Sequence, residues 1–225
     1  MSMHLQRDLE SLERRVLAQS SLVEEMIYKA SKAIRRIRPE LVSEILERED
    51  LVDENEVTIE EDCLKILALH QPVAKDLRLT ATILKVNNDL ERMADLAVNI
   101  AERAQCLSRC HGFMVPEALD RMAQVTVKMV KRALDALVHF DVDIARDVCL
   151  CDDEVDTLNR EVIAEMQEIM RTQPGLIEAA LSLFSASRHI ERIADHATNI
   201  AEDVIYLVDG EIARHKHDLD YSVQQ

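Results

Sequence analysis

Glycine, proline and aromatic residues are scarce in this chain of 225 residues, and tryptophan is absent. There are three glycines and four prolines, with three Phe and three Tyr. Because glycine and proline mark most chain reversals, so few of them favour long uninterrupted helices. Ala, Leu, Glu, Arg and Met are plentiful instead, and these residues have high intrinsic helix propensity. The composition therefore predicts an all-α fold.

Positive charge is also in deficit, since the formal net charge is −16. Binding to nucleic acid requires clustered Lys and Arg that displace counterions from phosphates, so we expect no nucleic-acid partner. The chain has no apolar run long enough to span a bilayer and no secretory signal at its start, so we expect no membrane insertion. Its five scattered cysteines fit reduced thiols, and we expect a cytoplasmic location.

An internal repeat is the strongest single feature of the sequence. Residues 90–102 (LERMADLAVNIAE) recur as residues 190–202 (IERIADHATNIAE). Further upstream, Gln71-Pro72 recurs as Gln173-Pro174, and a Val-Asp pair recurs with a similar offset. A period sustained over this length indicates duplicated structural units. We assign residues 1–111 to the first unit and residues 112–225 to the second.

Each unit is predicted to contain three helices. Apolar residues recur at three- and four-residue spacing, and prolines fall where one helix must end and the next can begin. Short connections force consecutive helices to pack antiparallel. The sequence therefore predicts two tandem antiparallel three-helix bundles related by internal duplication, with helices over about 5–38, 40–70, 72–106, 117–139, 141–171 and 174–208, the last one capped by Gly210.

Four acidic pairs share one spacing within these helices. Residues i and i+4 lie on one helical face, so both carboxylates of a pair point the same way. Such like-charge pairs destabilise a helix by about 0.2–0.5 kcal/mol each unless something compensates. The pairs are Glu49/Asp53, Glu91/Asp95, Asp152/Asp156 and Glu191/Asp195.

The Gln-Pro breaks bring these pairs together two by two. In an antiparallel hairpin, residues at one level have numbers that sum to a constant. Pairing Glu49 with Asp95, and Asp53 with Glu91, centres the first turn on Pro72, and the second unit behaves in the same way about its own Gln-Pro break. We therefore predict two groups of four carboxylates. Hard oxygen ligands of this kind suit magnesium, manganese or iron, with zinc also feasible.

Other interpretations of these residues stay open from the sequence. A single acidic i, i+4 pair is usually a solvated helix surface, and Arg92, Arg160 and Arg192 are placed to pair with Asp95, Asp156 and Asp195. Asn99/Glu102 and Asn199/Glu202 continue the same stripe. His189 and His196 share one face and read mainly as ordinary helix residues. The grouped cysteines (Cys106 and Cys110 beside His111, and Cys149 with Cys151) read as small core or surface thiols.

The sequence resembles the PhoU family of phosphate-uptake regulators over about residues 5–216. The resemblance rests on the duplicated unit, the two Glu-Arg-x-Ala-Asp segments followed by Asn-Ile-Ala-Glu, Gln71-Pro72 before Asp-Leu-Arg-Leu, and the ending at 202–210. That family's acidic motif coincides with the four pairs. The second unit departs from the pattern, because Gly-Leu-Ile-Glu replaces Asp-Leu-Arg-Leu after its Gln-Pro.

The resemblance implies a non-catalytic, cytoplasmic negative regulator of the phosphate-starvation response. Its implied partners are the ATPase subunit of the phosphate ABC importer and the phosphate-sensing histidine kinase, and it implies a homodimer. The metals seen in the family are multinuclear iron or zinc clusters, or magnesium-like ions.

Two alternatives remain. A ferritin-like di-iron enzyme would use Glu-x-x-His, but none of the eight histidines has a Glu three positions before it. A metal-free helical interaction protein would use the carboxylates only for solubility.

Overall fold

A computed structural model describes residues 3–210, and within that range every regular element is a helix. The helices follow the predicted plan of two three-helix units. They are α1 (Met3–Arg36), α2 (Val42–His70), α3 (Ala74–Leu107), α4 (Glu117–His139), α5 (Val142–Leu150), α6 (Asp152–Thr172) and α7 (Ile177–Asp209), with short 3₁₀ turns at Pro39–Leu41 and Pro174–Leu176.

Proline and left-handed residues end the helices close to the predicted positions. Pro39 and Pro174 begin the two 3₁₀ turns, where a missing backbone N–H leaves no bond unmade. Gly210 caps α7 with a φ of 75°, and its N–H donates to the Tyr206 carbonyl at 2.9 Å. The predicted cap is therefore confirmed. Gln71 ends α2 in the same left-handed conformation, with a φ of 45°.

The prediction of one continuous helix over 141–171 is wrong at one point. The helix breaks at Cys151, which separates α5 from α6. Around the break the backbone N–H of Cys151 donates to Val148, and that of Glu154 donates to Cys151, each three residues back. These shorter bonds tighten the helix by one 3₁₀-like turn. Helical periodicity alone does not reveal such a turn, because the apolar face continues through it.

The helices of each unit, three in the first and four in the second because of the break at Cys151, pack against one another, and α3 and α7 pack together most extensively of all. As a result the buried apolar residues of both units form one continuous core. Residue pairs across this contact run in opposite order, because Lys85 of α3 meets Asp203 while Asp89 meets His196, nearer the start of α7. α3 and α7 are thus antiparallel at the centre of the molecule.

Charged groups tie the units together around that core. Arg35 of α1 pairs with Asp120 of α4 at 2.5 Å. Lys85 lies 3.0 Å from the buried Asp203 carboxylate, and its ammonium sits 5.2 Å from the centroid of the Tyr206 ring. Of the helices described, none has the length and apolar character required to cross a membrane.

Candidate functional site

The carboxylates of the first unit influence one another across the α2–α3 hairpin. Burial raises the pKa of Glu49, and the charges of Asp53 and then Asp95 raise it further. Burial likewise raises the pKa of Glu91, together with Asp95 and, across the hairpin, Asp53. These cross-helix neighbours are the pairs that the turn at Pro72 places at one level. The hairpin register inferred from the sequence therefore agrees with the electrostatics.

In the second unit the charges of the other three carboxylates all act on Asp195 of α7. Partial burial is the largest cause that raises the pKa of Asp195, and the charges of Asp152, Glu191 and Asp156 follow, so that the pKa reaches about 6. All three other members of the predicted group therefore act on this one side chain. Because the two α6 residues lie on a different helix, the effect requires the α6–α7 hairpin to bring them near.

Basic residues compensate part of this negative charge, though not always as the sequence suggested. Arg92 does contact Asp95, at 3.9 Å, and also Glu91, at 3.4 Å. Arg192, although its spacing allows it, makes no ion pair with Asp195. The local cation of that helix is instead Arg188, one turn earlier, which lies 2.6 Å from Glu191.

Arg160 is placed at the right spacing to pair with Asp156, but it does not contact that carboxylate. Its Nε donates to the main-chain carbonyl of Asp156 at 3.2 Å, and its Nη2 donates to the Thr157 hydroxyl at 3.1 Å. The Asp156 carboxylate therefore receives no hydrogen bond from this arginine. Correct spacing along a helix therefore does not determine which of several nearby acceptors an arginine contacts.

Within residues 3–210, no three His, Cys, Asp or Glu side chains have the geometry of a metal centre. The predicted ligand set consequently stays a prediction. By donor chemistry the residues of both predicted groups fit a hard cation, since all of them are carboxylates. To bind one, the side chains of a group would have to turn toward a common point.

The neighbouring polar residues are engaged elsewhere. Asn99 donates to the Asp95 main-chain carbonyl at 2.8 Å, so it holds the helix beside the first group. His196 turns toward α3, and its Nδ1 lies 2.7 Å from the buried Asp89 carboxylate. His189 lies 3.2 Å from the Ser185 hydroxyl. The repeat does not single out Asp89, because this residue has no acidic counterpart in the second unit. Its place among the apolar residues of the helix was the one sign that it is buried.

The fold and this arrangement define a class of protein, a duplicated helical bundle with paired acidic motifs in each half. The model of the PhoU domain matches the chain twice, at residues 16–104 and 119–204. The chain belongs to the PhoU family. Each match lies inside one of the two assigned units, while the boundary at 111–112 itself stays a prediction.

Individual relatives agree along nearly the whole chain. A phosphate-specific transport system accessory protein PhoU homolog of Aquifex aeolicus is 38% identical over 96% of this chain and 97% of its own length. The homolog of Pseudomonas aeruginosa is 37% identical over 96% of this chain and 89% of its own.

Solved structures show the same fold. The crystal structure of PhoU from Pseudomonas aeruginosa has a TM-score of 0.87, with 37% identity, and covers 92% of this chain and 99% of that one. The phosphate transport system regulatory protein PhoU from Streptococcus pneumoniae has a TM-score of 0.84, with 27% identity, over 92% and 98% of the two chains. The predicted fold class, two tandem three-helix bundles related by duplication, is confirmed.

Proposed function

We propose that this protein is a cytoplasmic accessory protein of phosphate transport that represses the phosphate-starvation response. In this role it acts without catalysis, as an adaptor between the ATPase subunit of the phosphate ABC importer and the phosphate-sensing histidine kinase. Membership of the PhoU family supports the proposal, together with relatives named as accessory proteins of phosphate-specific transport. We further propose that the protein is a homodimer and that its carboxylate groups hold metal ions.

The observation behind the metal proposal is the raised pKa of Asp195, to about 6, among three other carboxylates. Anions held this close repel one another in the folded state, and a bound cation would relieve that repulsion. The donors are hard oxygens, which favour magnesium, manganese or iron over softer ions, with zinc also compatible. The metal would then shape an acidic surface for the protein partners.

Metal analysis of variants tests this part. The purified protein is loaded with each candidate ion, desalted and assayed for bound metal. Replacing Glu91 and Asp95 by alanine should remove the metal of the first group and leave the second intact. The matched control replaces Glu161 and Glu165, an exposed acidic pair of the same spacing on α6, and should change nothing. Metal content that is the same in the Glu91/Asp95 variant as in the control would contradict the metal proposal.

Binding assays test the adaptor role. Immobilised protein is exposed to the importer ATPase and, separately, to the cytoplasmic part of the kinase, with the metal and with EDTA. We expect both partners to bind, and binding to weaken in EDTA. Failure of both partners to bind would contradict the adaptor role, whereas binding that ignores EDTA would contradict only a regulatory role for the metal. Sedimentation of the free protein measures the dimer.

One observation favours a second candidate, a metal-free helical interaction protein. Arg92 contacts a carboxylate of the first group, and Arg188 contacts one of the second. Such pairs offset part of the repulsion without any metal. This candidate predicts full partner binding in EDTA and no retained metal. Oxygen-dependent iron oxidation, assayed on the same samples, would instead point to a di-iron enzyme.

A further inference from the structure

We propose that a groove between α4 and the α5–α6 break binds a small, elongated phosphate anion. The groove, here called the α4 groove, encloses a cavity of about 360 Å³. Arg121, Lys128 and Arg132 line the α4 side, while Val148, Cys151 and the ion-paired Glu154 line the side formed by α5, the break and the start of α6. No part of the cavity includes the carboxylate groups described above, so this proposal is independent of the proposed function.

The cations of the α4 groove keep donors available for a ligand. Arg121 contacts Glu154 at 2.6 Å and Arg132 contacts Asp147 at 2.7 Å, each through Nη2 alone. A guanidinium has five N–H donors, so the Nε and Nη1 groups of both arginines remain free of these ion pairs. Lys128 has no carboxylate partner within the described part of the chain. The groove therefore offers one unpaired ammonium flanked by two partly engaged guanidinium groups.

Comparison of the two duplicated units shows that the first unit has different residues at the positions that form this groove. Residues of α1 and α4 correspond with an offset of 103, as two structural features establish. Ile37 and Phe140, both left-handed, occupy the same position after their helices. The next residues, Arg38 and Asp141, both donate to a carbonyl five positions back. The Val-Asp pairs of α2 and α6 share the offset of 103.

By this correspondence the first unit fills the equivalent space with its own charges. The counterparts of Lys128 and Cys151 are Glu25 and Arg48, which form an ion pair at 2.5 Å. Lys29, the counterpart of Arg132, completes the network by contacting Glu25 at 2.9 Å.

In the second unit both members of the Glu25–Arg48 pair are replaced. The long arginine becomes a short cysteine, which leaves space, and the glutamate becomes a lysine, which reverses the charge. The outcome is an open groove with a surplus cation in a chain of net charge −16. An unbalanced cation cluster on such an acidic protein is suited to a bound anion.

The dimensions indicate an extended ligand. Arg121 and Arg132 are eleven positions apart, or about 16 Å along a helix, so an extended anion reaches both more readily than a single phosphate group does. Arginine and lysine recognise phosphate oxygens through charge-assisted hydrogen bonds. A nucleoside triphosphate and an inorganic oligophosphate share the required chemistry, several phosphate charges along a line. Val125, which is only half-buried, gives the cavity an apolar wall that a nucleobase can cover.

Titration calorimetry on the full chain tests the proposal. EDTA is present throughout, which removes any metal that could bridge a phosphate to the acidic groups. The probes are ATP, tripolyphosphate, orthophosphate and adenosine. We expect ATP or tripolyphosphate, or both, to bind with one site per chain, orthophosphate to bind at least tenfold more weakly, and adenosine not to bind. Tighter binding of ATP than of tripolyphosphate would identify the nucleotide as the source of the phosphate chemistry.

Variants that restore the first-unit residues give the sharpest comparison. Lys128→Glu should weaken binding of the extended anion at least tenfold, and Lys128→Glu combined with Cys151→Arg, which rebuilds the first-unit ion pair across the groove, should abolish it. Lys131→Glu makes the same charge change at an exposed neighbouring position of α4 outside the groove, and should alter binding less than twofold. Thermal unfolding of each variant checks the fold. Equal losses in Lys128→Glu and Lys131→Glu, orthophosphate binding as tight as that of the longer anions, or no binding of either extended probe would overturn the proposal.

Discussion

Asp195 is the side chain on which the other three members of the second carboxylate group act. Its pKa is raised to about 6 by burial and by three neighbouring carboxylates, while the nearby His196 acts in the opposite direction. The folded chain therefore holds a proton on Asp195 over a range in which the unfolded chain has already lost it. Ionisation of this side chain opposes folding at neutral pH unless a cation is bound.

We expect Asp195→Asn to change the pH dependence of stability in the metal-free protein. Between about pH 4 and pH 6 the folded state binds more protons than the unfolded state, so ionisation of Asp195 lowers the free energy of unfolding as pH rises. The variant lacks this contribution, so its advantage over the wild type should grow through that window and persist at pH 7. Urea unfolding in EDTA at several pH values measures it.

The control for this experiment is Glu165→Gln, at an exposed position in the middle of α6. Its difference from the wild type should vary much less between pH 4 and pH 6. Should the Asp195→Asn protein lose its advantage as pH rises, the second carboxylate group would not be as close as described. Added magnesium or manganese should stabilise the wild type more than the variant if the cation binds there.

At the scale of elements, helix ends were more predictable than what happens inside a helix. α4 begins at Glu117 and ends at His139 as predicted, because a proline precedes it and the amphipathic pattern stops there. The break at Cys151 was not predictable, since no proline or glycine marks it. Gln71 shows a third case, a left-handed helix end without the glycine that usually occupies it.

Gln71→Gly should therefore stabilise the protein. A left-handed residue with a Cβ is strained by about 1–2 kcal/mol, whereas glycine adopts the conformation freely but loses more entropy on folding. The net gain in the free energy of unfolding should be up to about 1 kcal/mol, measured by urea denaturation. Gln71→Ala retains the Cβ and serves as the control, with no comparable gain. Equal stability of the two variants would show that the strain is absent.

At the scale of the molecule, the two units are joined through α3 and α7 into one core. Buried polar contacts lie within this interface, among them the Lys85–Asp203 pair, in which the carboxylate is only 2% exposed. Such contacts fix the axial register of two antiparallel helices. If one helix slid along the other, the buried carboxylate would lose its partner, which is costly. We infer that the position of one unit on the other is set by these few charged residues as well as by apolar packing.

Lys85→Met should lower the free energy of unfolding by about 1–3 kcal/mol, because it keeps the aliphatic stem but removes a charged hydrogen-bond donor from the buried Asp203 carboxylate. The control is Lys65→Met, whose partner Glu61 is an exposed neighbour on the same helix, and the expected change is within about 0.5 kcal/mol. Urea unfolding followed by circular dichroism compares them. If the two variants lose equal stability, the Lys85 contact does not hold the units together.

The sequence by itself determined the helices, their duplication and the register of the helical hairpins. These features are local or periodic: helical spacing puts Glu91 and Asp95 on one face, and the Gln-Pro break fixes where the hairpin turns. The PhoU family likeness could be recognised for the same reason, since its motifs lie within single helices. The predicted hairpin register agrees with the charges that act on Glu49 and Asp195.

Only the tertiary structure shows which partner each polar side chain contacts. Arg188 rather than Arg192 contacts the second carboxylate group, and His196 bonds to Asp89, a residue 107 positions away. The space beside Lys128 likewise depends on what faces it from the α5–α6 break. Contacts of this kind depend on rotamers and on packing between distant helices, and neither follows from the spacing of residues along one chain.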